Sequence, residues 1–344
     1  MPPTRGARRG DVSAVSVPLP SARGPAGEAL FDALRRSPEA SPGPDVRVVE
    51  RGALDPEDLH SALYCAYELH YRGFTDVDDA WEWAPALLAF RHHLEQAFLE
   101  DLRAHVPGGR DADAALAALT YVSPSPGGLG GHLRAEGTWE QMRETFAHRS
   151  LYHLKEADPH AWVIPRLQGN AKAAMVAVEF DEFGGGRGDR MHAQLFADLM
   201  AAAGLDDGYL AYLDRVPAEP LAIVNFMSMC GLHRSLRGAL VGHFADVETT
   251  SSPGSRTMVE ALQRMSAPDA CVHFYAEHVE ADAVHEQIVR HDVVGDLLAR
   301  EPHLEPDVVF GIEATELLEQ RLADRLIGSW RRAESSLLPA PVGV

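Results

Sequence analysis

Apolar residues along most of this chain recur at intervals of three and four, the spacing of one face of an α-helix. The first clear example follows Asp55-Pro56-Glu57, where an N-cap aspartate, a proline at the first helical position and an acid in the first turn predict a helix start. Further helical patterns cover 78–105, 111–122, 137–164, 169–183, 189–204, 209–244, 256–265, 270–299 and 305–332. No segment shows the sustained alternation of a strand. The pattern predicts an all-α protein with about nine or ten helices.

Breaks in this pattern predict the domain organisation. Residues 1–25 are rich in Pro, Arg, Gly and Ser without periodicity, which predicts a disordered tail. We predict an N-terminal helical extension over 26–136, a helical bundle over 137–332 and a second tail over 333–344.

The charge of the chain narrows its class of partner. There are 31 basic and 51 acidic residues, for a formal net charge of −20. Such a balance disfavours nucleic acid and anionic lipid, both of which need a basic face. Three widely separated cysteines without a CxxC motif argue against a zinc–cysteine site and a disulfide framework. We therefore predict a cytoplasmic protein that binds neither nucleic acid nor membrane.

Several common catalytic motifs are absent from the sequence. No GxGxxG, GxxxxGK[ST], GxSxG or HExxH pattern is complete, which argues against dinucleotide, P-loop, hydrolase and zincin chemistry.

The segment 273–291 carries a candidate metal-ligand set. His278, Asp282 and His285 stand at positions i, i+4 and i+7, within an arc of about 60° on one helix face. Two imidazoles and a carboxylate on one face suit Fe, Mn or Zn. A solvated charged face, or histidines satisfied in the core, would give the same pattern.

Two other segments offer further donors. Glu182 precedes three glycines that should end its helix, and Asp189 is a candidate N-cap for a next helix that begins near His192. The glycine break would let Glu182 and His192 both point inward, although a plain loop with a surface histidine is the alternative. Glu156 lies shortly before Pro159, which should kink its helix, and it could equally be an exposed acid.

These segments resemble the heme-oxygenase-like diiron oxidases and oxygenases, also called iron-containing redox enzymes. In that family one helix supplies a Glu, a second a Glu followed ten residues later by a His, and a third a His, an Asp and a His. The resemblance covers about 150–330 and implies a heme-oxygenase-like bundle with two Fe(II) ions per chain and O₂ as co-substrate. The ligands it implies are Glu156, Glu182, His192, His278, Asp282 and His285.

A ferritin-like bundle is the main competitor in fold. It would need two Glu-x-x-His motifs, and the chain has one, from Glu57 to His60. The ferritin arrangement is therefore disfavoured.

Three functions stay open, of which the first two are enzymatic and are implied by the resemblance. The first is an N-oxygenase of secondary metabolism that acts on an amine of an amino acid or related small molecule. The second is an oxidase that cleaves a C–C bond of, or desaturates, an amino or fatty acid, and the third is a non-catalytic metal-binding protein. Candidate anchors for a substrate carboxylate are Arg166, Arg187 and Arg290, because arginine binds carboxylates bidentately. An external electron donor and a homodimer are both compatible with the sequence.

Overall fold

The computed structural model describes residues 17–50, 54–119 and 128–340, except for the side chains of 50 and 280–284, and over these ranges it contains helices and no strand. The predicted all-α class is therefore confirmed. Within the described ranges, none of the helices combines the length and apolar character that crossing a bilayer requires. The α-helices are, in chain order, α1 (Pro25–Leu34), α2 (Arg47–Glu50), α3 (Pro56–Glu68), α4 (Pro85–His105), α5 (Ala112–Leu119), α6 (Gly128–Ala135), α7 (Trp139–His153), α8 (Asp158–Ala161), α9 (Gly169–Glu182), α10 (His192–Ala202), α11 (Ala218–Leu232), α12 (Arg237–Arg264), α13 (Asp269–Ile288), α14 (Asp296–Arg300) and α15 (Glu305–Arg331). A π-helical segment, Val289–Gly295, joins α13 to α14.

Side-chain caps fix the starts of two important helices. Asp55 accepts a hydrogen bond from the backbone N–H of Glu57 at 2.9 Å, and Pro56 is the first residue of α3, so the predicted start of this helix is confirmed. At α7, the Thr138 hydroxyl accepts from the Gln141 N–H at 3.3 Å, while the Gln141 side chain accepts from the Thr138 N–H at 3.1 Å. Both caps satisfy N–H groups that have no partner within the helix.

The helix predicted over 137–164 is interrupted, so that prediction is wrong in its length. α7 ends at His153, and α8 begins only at Asp158. Pro159 has no N–H to bond the carbonyl four residues earlier, which prevents a continuous helix. Ala157 adopts a φ of +74°, a left-handed conformation that costs a non-glycine residue about 1–2 kcal/mol. The chain therefore makes a tight turn, and Glu156 lies within it.

The prediction for 209–265 also differs from the structure. α11 begins at Ala218, directly after Pro217, and not at residue 209. The single helix α12 contains both 237–244 and 256–265, which the sequence pattern places in separate helices. α12 continues through Pro253.

The long helix α12 packs against both α13 and α15. Its contact with α15 is close enough to require glycine, because a Cβ atom built on Gly242 would overlap the carbonyl oxygen of Val308. The backbones of α12 and α15 therefore lie close together, and side chains of α12, α13 and α15 pack into one common interior.

The helix α3 packs against α11, and one hydrogen bond connects it to the end of α7. The Tyr64 hydroxyl donates to the carbonyl of Leu151 at 3.1 Å. Farther along α3, Glu68 accepts a hydrogen bond from the Lys155 ammonium at 2.7 Å, and both side chains are buried. The proposed extension is therefore anchored to the turn that carries Glu156.

Both predicted tails contain residues with defined contacts. Residues 1–16 and 341–344 lie outside the described residues, but Arg23 donates to the carbonyl of Leu213 at 2.7 Å and pairs with Glu57 at 2.6 Å. At the other end, the Leu338 N–H donates to the carbonyl of Arg215 at 2.7 Å. The structure thus differs from the predicted tails over 17–25 and 333–340, because main-chain and arginine hydrogen bonds tie these segments down. The boundary between extension and bundle stays a prediction.

Because His148 of α7 is buried, we predict that the folded protein loses stability in acid. Burial lowers the pKa of His148 to about 3, whereas an unfolded chain protonates histidine near pH 6.5. Between these values the unfolded chain binds a proton that the native state does not, so the free energy of unfolding falls as the pH falls. The difference reaches about 2 kcal/mol at pH 5. We expect the His148→Gln variant to lose less stability between pH 7 and pH 5 than the parent, as measured by urea denaturation.

The exposed His92 provides the matched control for this experiment. His92→Gln should keep the acid sensitivity of the parent. Equal sensitivity in His148→Gln and the parent would contradict the prediction.

Candidate metal centre

Four buried side chains from different parts of the bundle meet at one point. Glu156 lies in the turn after α7, Glu182 ends α9, His192 begins α10, and His278 lies on α13. Each offers a ligand atom, and these atoms all lie within 4.8 Å of one another. Glu182 Oε2 lies 2.6 Å from His192 Nδ1, and Glu156 Oε1 lies 3.7 Å from His278 Nε2. The fold thus brings together four of the side chains that the sequence singles out.

The glycine segment after Glu182 explains how His192 reaches it. α9 ends at Glu182, as predicted, and Gly184 adopts a φ of +72°. A Cβ atom at Gly184 would lie 2.6 Å from backbone atoms of Arg190 and Met191. Only glycine allows the chain to fold back this tightly, and the reversal sets His192 beside Glu182.

A second group of donors lies next to the first and consists of Glu182, Glu248 and His285, all buried. His285 Nδ1 lies 3.2 Å from Glu248 Oε2 and 3.9 Å from Glu182 Oε1. Glu182 therefore belongs to both groups, with one carboxylate oxygen near His192 and the other near His285.

Glu248 is a donor that the sequence analysis missed. It lies on α12, in the segment between the two predicted helices 209–244 and 256–265. A signal was present, since the buried residues Val241, Phe244 and Ala245 form an apolar stripe that Glu248 continues at helical spacing. A carboxylate at an interior position needs a compensating partner, and here that partner is His285.

The remaining predicted ligand, Asp282, occupies α13 between His278 and His285, and its side chain lies outside the described residues. Its role stays a prediction. His278 donates from Nδ1 to the carbonyl of Phe274 at 2.8 Å, which leaves Nε2 for the group near Glu156. A hydrogen bond to the opposite ring nitrogen is the usual means of orienting a metal-binding imidazole.

Negative charge is concentrated around these donors. Burial, and then the charges of Glu182 and Glu248, raise the pKa of the nearby Glu179 to about 9. Glu179 itself is 2% exposed. A carboxyl group that resists ionisation this strongly marks an interior short of positive charge.

Glu156 is predicted to be a ligand in preference to His160. Glu156 belongs to the first donor group, whereas His160 lies outside both groups. His160 Nδ1 lies 4.0 Å from Glu179 Oε1, and its ring lies 5.2 Å from that of His243. Burial opposes ionisation of Glu156, but the neighbouring His153 and His278 together outweigh it and hold the pKa of Glu156 well below its usual range. This arrangement favours Glu156, and the choice stays a prediction.

A cavity of about 420 Å³ adjoins the donors. Tyr152, Glu156 and His278 line both this cavity and a much smaller one, of about 20 Å³, among the donor side chains. The larger volume is in the range of small-molecule sites, so a molecule held there would reach the donor side chains. Polar residues that line it include Thr145, Arg149, His243, Asp246, Thr315, Glu316 and Glu319.

The three arginines predicted to anchor a carboxylate lie elsewhere. Arg166 donates to the carbonyls of Gly231 and Leu232 at the end of α11. Arg187 is exposed and pairs with Asp189 at 2.9 Å. Asp189 is the candidate N-cap of the next helix in the sequence, but α10 has no side-chain cap, so that prediction is wrong.

The third of these arginines, Arg290, lies in the π-helical segment. Of the described residues that line the larger cavity, the only arginine is Arg149. A role of Arg166, Arg187 or Arg290 in binding substrate stays a prediction.

Buried carboxylate and imidazole donors inside an all-α bundle are the features of a helical metalloenzyme. The sequence over residues 143–320, just over half the chain, matches the family of iron-containing redox enzymes, and the chain belongs to that family. The resemblance drawn from the sequence is thereby confirmed, and the protein is an iron-dependent oxidoreductase. No curated protein matches the sequence.

Proposed function

We propose that the protein is a diiron, O₂-dependent oxygenase that hydroxylates the nitrogen of a small-molecule amine, such as an amino acid. The position of Glu182 carries the proposal for two metals. One of its oxygens lies 2.6 Å from His192 of the first donor group, and the other lies 3.9 Å from His285 of the second. A carboxylate placed in this way is suited to bridge two ions.

The donor set fits two ferrous ions. The two groups contain three carboxylates and three imidazoles, which are ligands that iron accepts. With Asp282 as a fourth carboxylate, the negative charge would equal the positive charge of two Fe(II) ions. Glu156 Oε2 is buried without a hydrogen-bond partner in the part of the chain that the structure describes, as expected of an atom reserved for a metal. Bound irons would supply the capacity to reduce O₂.

Tyr152 is placed to hold a proton between substrate and donors. It lines both cavities. Burial, and then the charge of Glu156, raise the pKa of its hydroxyl well above the usual value, so the group stays protonated at neutral pH. Tyr152 therefore offers a protonated hydroxyl, a hydrogen-bond donor, on a residue that lines both cavities.

The proposed reaction requires an external reductant. Conversion of R–NH₂ and O₂ into R–NHOH and H₂O forms one N–O bond and consumes two electrons and two protons. Neither the amine nor O₂ supplies these, so we propose an electron donor outside the chain. Oxidative cleavage or desaturation would instead remove carbon or hydrogen from the substrate.

The nature of the product tests the proposal. Protein loaded anaerobically with Fe(II), then given a reductant, O₂ and a panel of amino acids and alkylamines, should consume O₂ only when an accepted amine is present. Mass spectrometry should find a product heavier than that amine by one oxygen atom. His278→Gln should abolish O₂ uptake, because it removes a donor of the first group.

The matched control is His273→Gln, on the same helix but at an exposed site. It should leave O₂ uptake unchanged. A product that has lost carbon or two hydrogens would contradict N-oxygenation and would support the alternative function, an oxidase. Tight stoichiometric zinc without any O₂ uptake would contradict the diiron proposal altogether.

A further inference from the structure

The larger cavity presents two buried hydrogen-bond acceptors on one face of α12. His243 and Asp246 are 1% and 2% exposed, and both line the cavity. They stand three residues apart, which places them side by side on a helix. Neither residue belongs to the two donor groups.

The hydrogen bonds of His243 fix which of its nitrogens carries the proton. The Thr315 hydroxyl donates to the carbonyl of Gly311 at 2.7 Å, so its oxygen must accept the bond from His243 Nδ1 at 2.8 Å. His243 is neutral, since burial lowers its pKa to about 4. Nε2 therefore carries a bare lone pair, and it has no hydrogen-bond partner among the residues that the structure describes.

Asp246 repeats this situation with a carboxylate. Its Oδ2 is buried and lacks a hydrogen-bond partner within the described ranges. Buried acceptors almost always have a donor, and two neighbouring exceptions that line one cavity point to a ligand that brings N–H groups with it.

The other charged side chains that line the cavity determine whether that ligand is a cation or an anion. Arg149 is neutralised by Glu319, whose two oxygens lie 2.6 and 2.5 Å from its guanidinium nitrogens. Glu316 lines the same cavity, as does Asp246. Burial, together with the charges of Glu316 and Glu319, raises the pKa of Asp246 well above its usual range. This side of the cavity therefore opposes an anionic group and favours a cation, which would supply the missing positive charge.

We infer that Asp246 and His243 bind a cationic N–H group of the substrate, an ammonium or a guanidinium, at the α12 side of the cavity. Both cations can donate to the two acceptors at once, and either would favour the ionised form of the Asp246 carboxyl, whose charge then balances theirs. The inference deepens the proposed function, on which it rests for the identity of the bound molecule as the substrate. The inference also means that the substrate carries a basic group in addition to the nitrogen that is oxidised.

Binding measured without iron or O₂ tests this site separately from the chemistry. Isothermal titration of the iron-free protein with n-butylguanidine and n-pentylamine should show binding, with n-pentanol as a neutral probe of similar size that binds at least tenfold more weakly. The tighter of the two cations identifies the preferred group. Asp246→Asn should weaken cation binding at least tenfold, because the amide cannot ionise beside the cation and its NH₂ group replaces one acceptor oxygen, while the shape is kept.

Two further variants control for folding and for general charge. Glu260→Gln, on the same helix but in an exposed ion pair with Arg134, should bind both cations as the parent does. If Asp246→Asn fails to fold, Glu316→Gln, at an exposed site on α15, should still weaken cation binding by a smaller factor.

The outcomes separate this inference from the proposed function. Equal affinity for n-pentanol and the cations, or unchanged cation binding in both Asp246→Asn and Glu316→Gln, would overturn the inference. Loss of iron from Asp246→Asn after Fe(II) loading would make Asp246 a metal ligand and would also overturn it. Intact cation binding without any N-oxygenated product would instead contradict the proposed function alone.

Discussion

Replacing Glu182 by glutamine should lower the iron content of the loaded protein from about two ions per chain to less than one. Glu182 is the one residue shared by the two donor groups in the described part of the chain. Its two oxygens face imidazoles on different sides, so a single substitution removes a ligand from both groups. Glutamine keeps the shape of the side chain but removes its negative charge, and a neutral amide is a poor ligand for iron. Two ferrous ions would then lie in an interior with too little negative charge.

The measurement is iron analysis after anaerobic Fe(II) loading and desalting, with circular dichroism to verify folding. Glu248→Gln removes a donor from the second group alone, so it should retain about one ion. Glu277→Gln, at an exposed site on α13, should retain the content of the parent. Full iron content in Glu182→Gln would contradict the bridging role, even if the protein remained active.

The helical class was predictable because it depends on local periodicity, which the sequence displays directly. His278 and His285 were predictable for the same reason, since a helix places residues seven apart on nearly the same side. Glu182 and His192 were harder, because a straight helix would separate them. Three consecutive glycines signalled the break that lets them meet.

Glu248 was missed because its helix was predicted to stop at residue 244, although the apolar stripe before it continues to this position. Pro253 lacks the N–H that would bond to the carbonyl four residues earlier, and such a residue usually ends a helix. α12 continues through it nonetheless. The helix is held by packing against α13 and α15, and the Ser252 hydroxyl bonds to the carbonyl of Val279 on α13 at 3.2 Å. Tertiary contacts of this kind outweigh local preference and are invisible to a local pattern.

The buried pair of Glu68 and Lys155 was beyond prediction as well, because 87 residues separate its members. In the sequence, Lys155 looks like an ordinary exposed charge. In the structure the Lys155 side chain is 1% exposed, and its ammonium lies 4.5 and 4.3 Å from the ring centres of Tyr64 and Tyr71. The helix α3 of the predicted extension therefore encloses the residue next to a candidate iron ligand.

Replacing Glu68 by glutamine should lower the free energy of unfolding by about 3–5 kcal/mol, the usual cost of leaving one buried charge without its partner. Glu68 accepts hydrogen bonds from Lys155 and from the Tyr209 hydroxyl, both at 2.7 Å. The aromatic rings around Lys155 offer its ammonium some attraction, but less than an ionised carboxylate. The turn that holds Glu156 should loosen with Lys155, so iron binding should weaken in the same variant.

The double variant Glu68→Gln/Lys155→Met distinguishes the ion pair from a general packing defect. It removes both charges and keeps most of the buried volume, so its free energy of unfolding should recover most of the loss, as replaced buried ion pairs often do. Urea denaturation at neutral pH measures the stability of all three proteins, and iron analysis after Fe(II) loading measures the state of the Glu156 turn. Exposed Asp113 on α5 supplies the control Asp113→Asn, which should match the parent in both measurements. If the double variant were as unstable as Glu68→Gln alone, the charge of Lys155 would not be the cause of the loss. The link between the N-terminal helix and the metal centre would then have to run through the hydrogen bond of Tyr209.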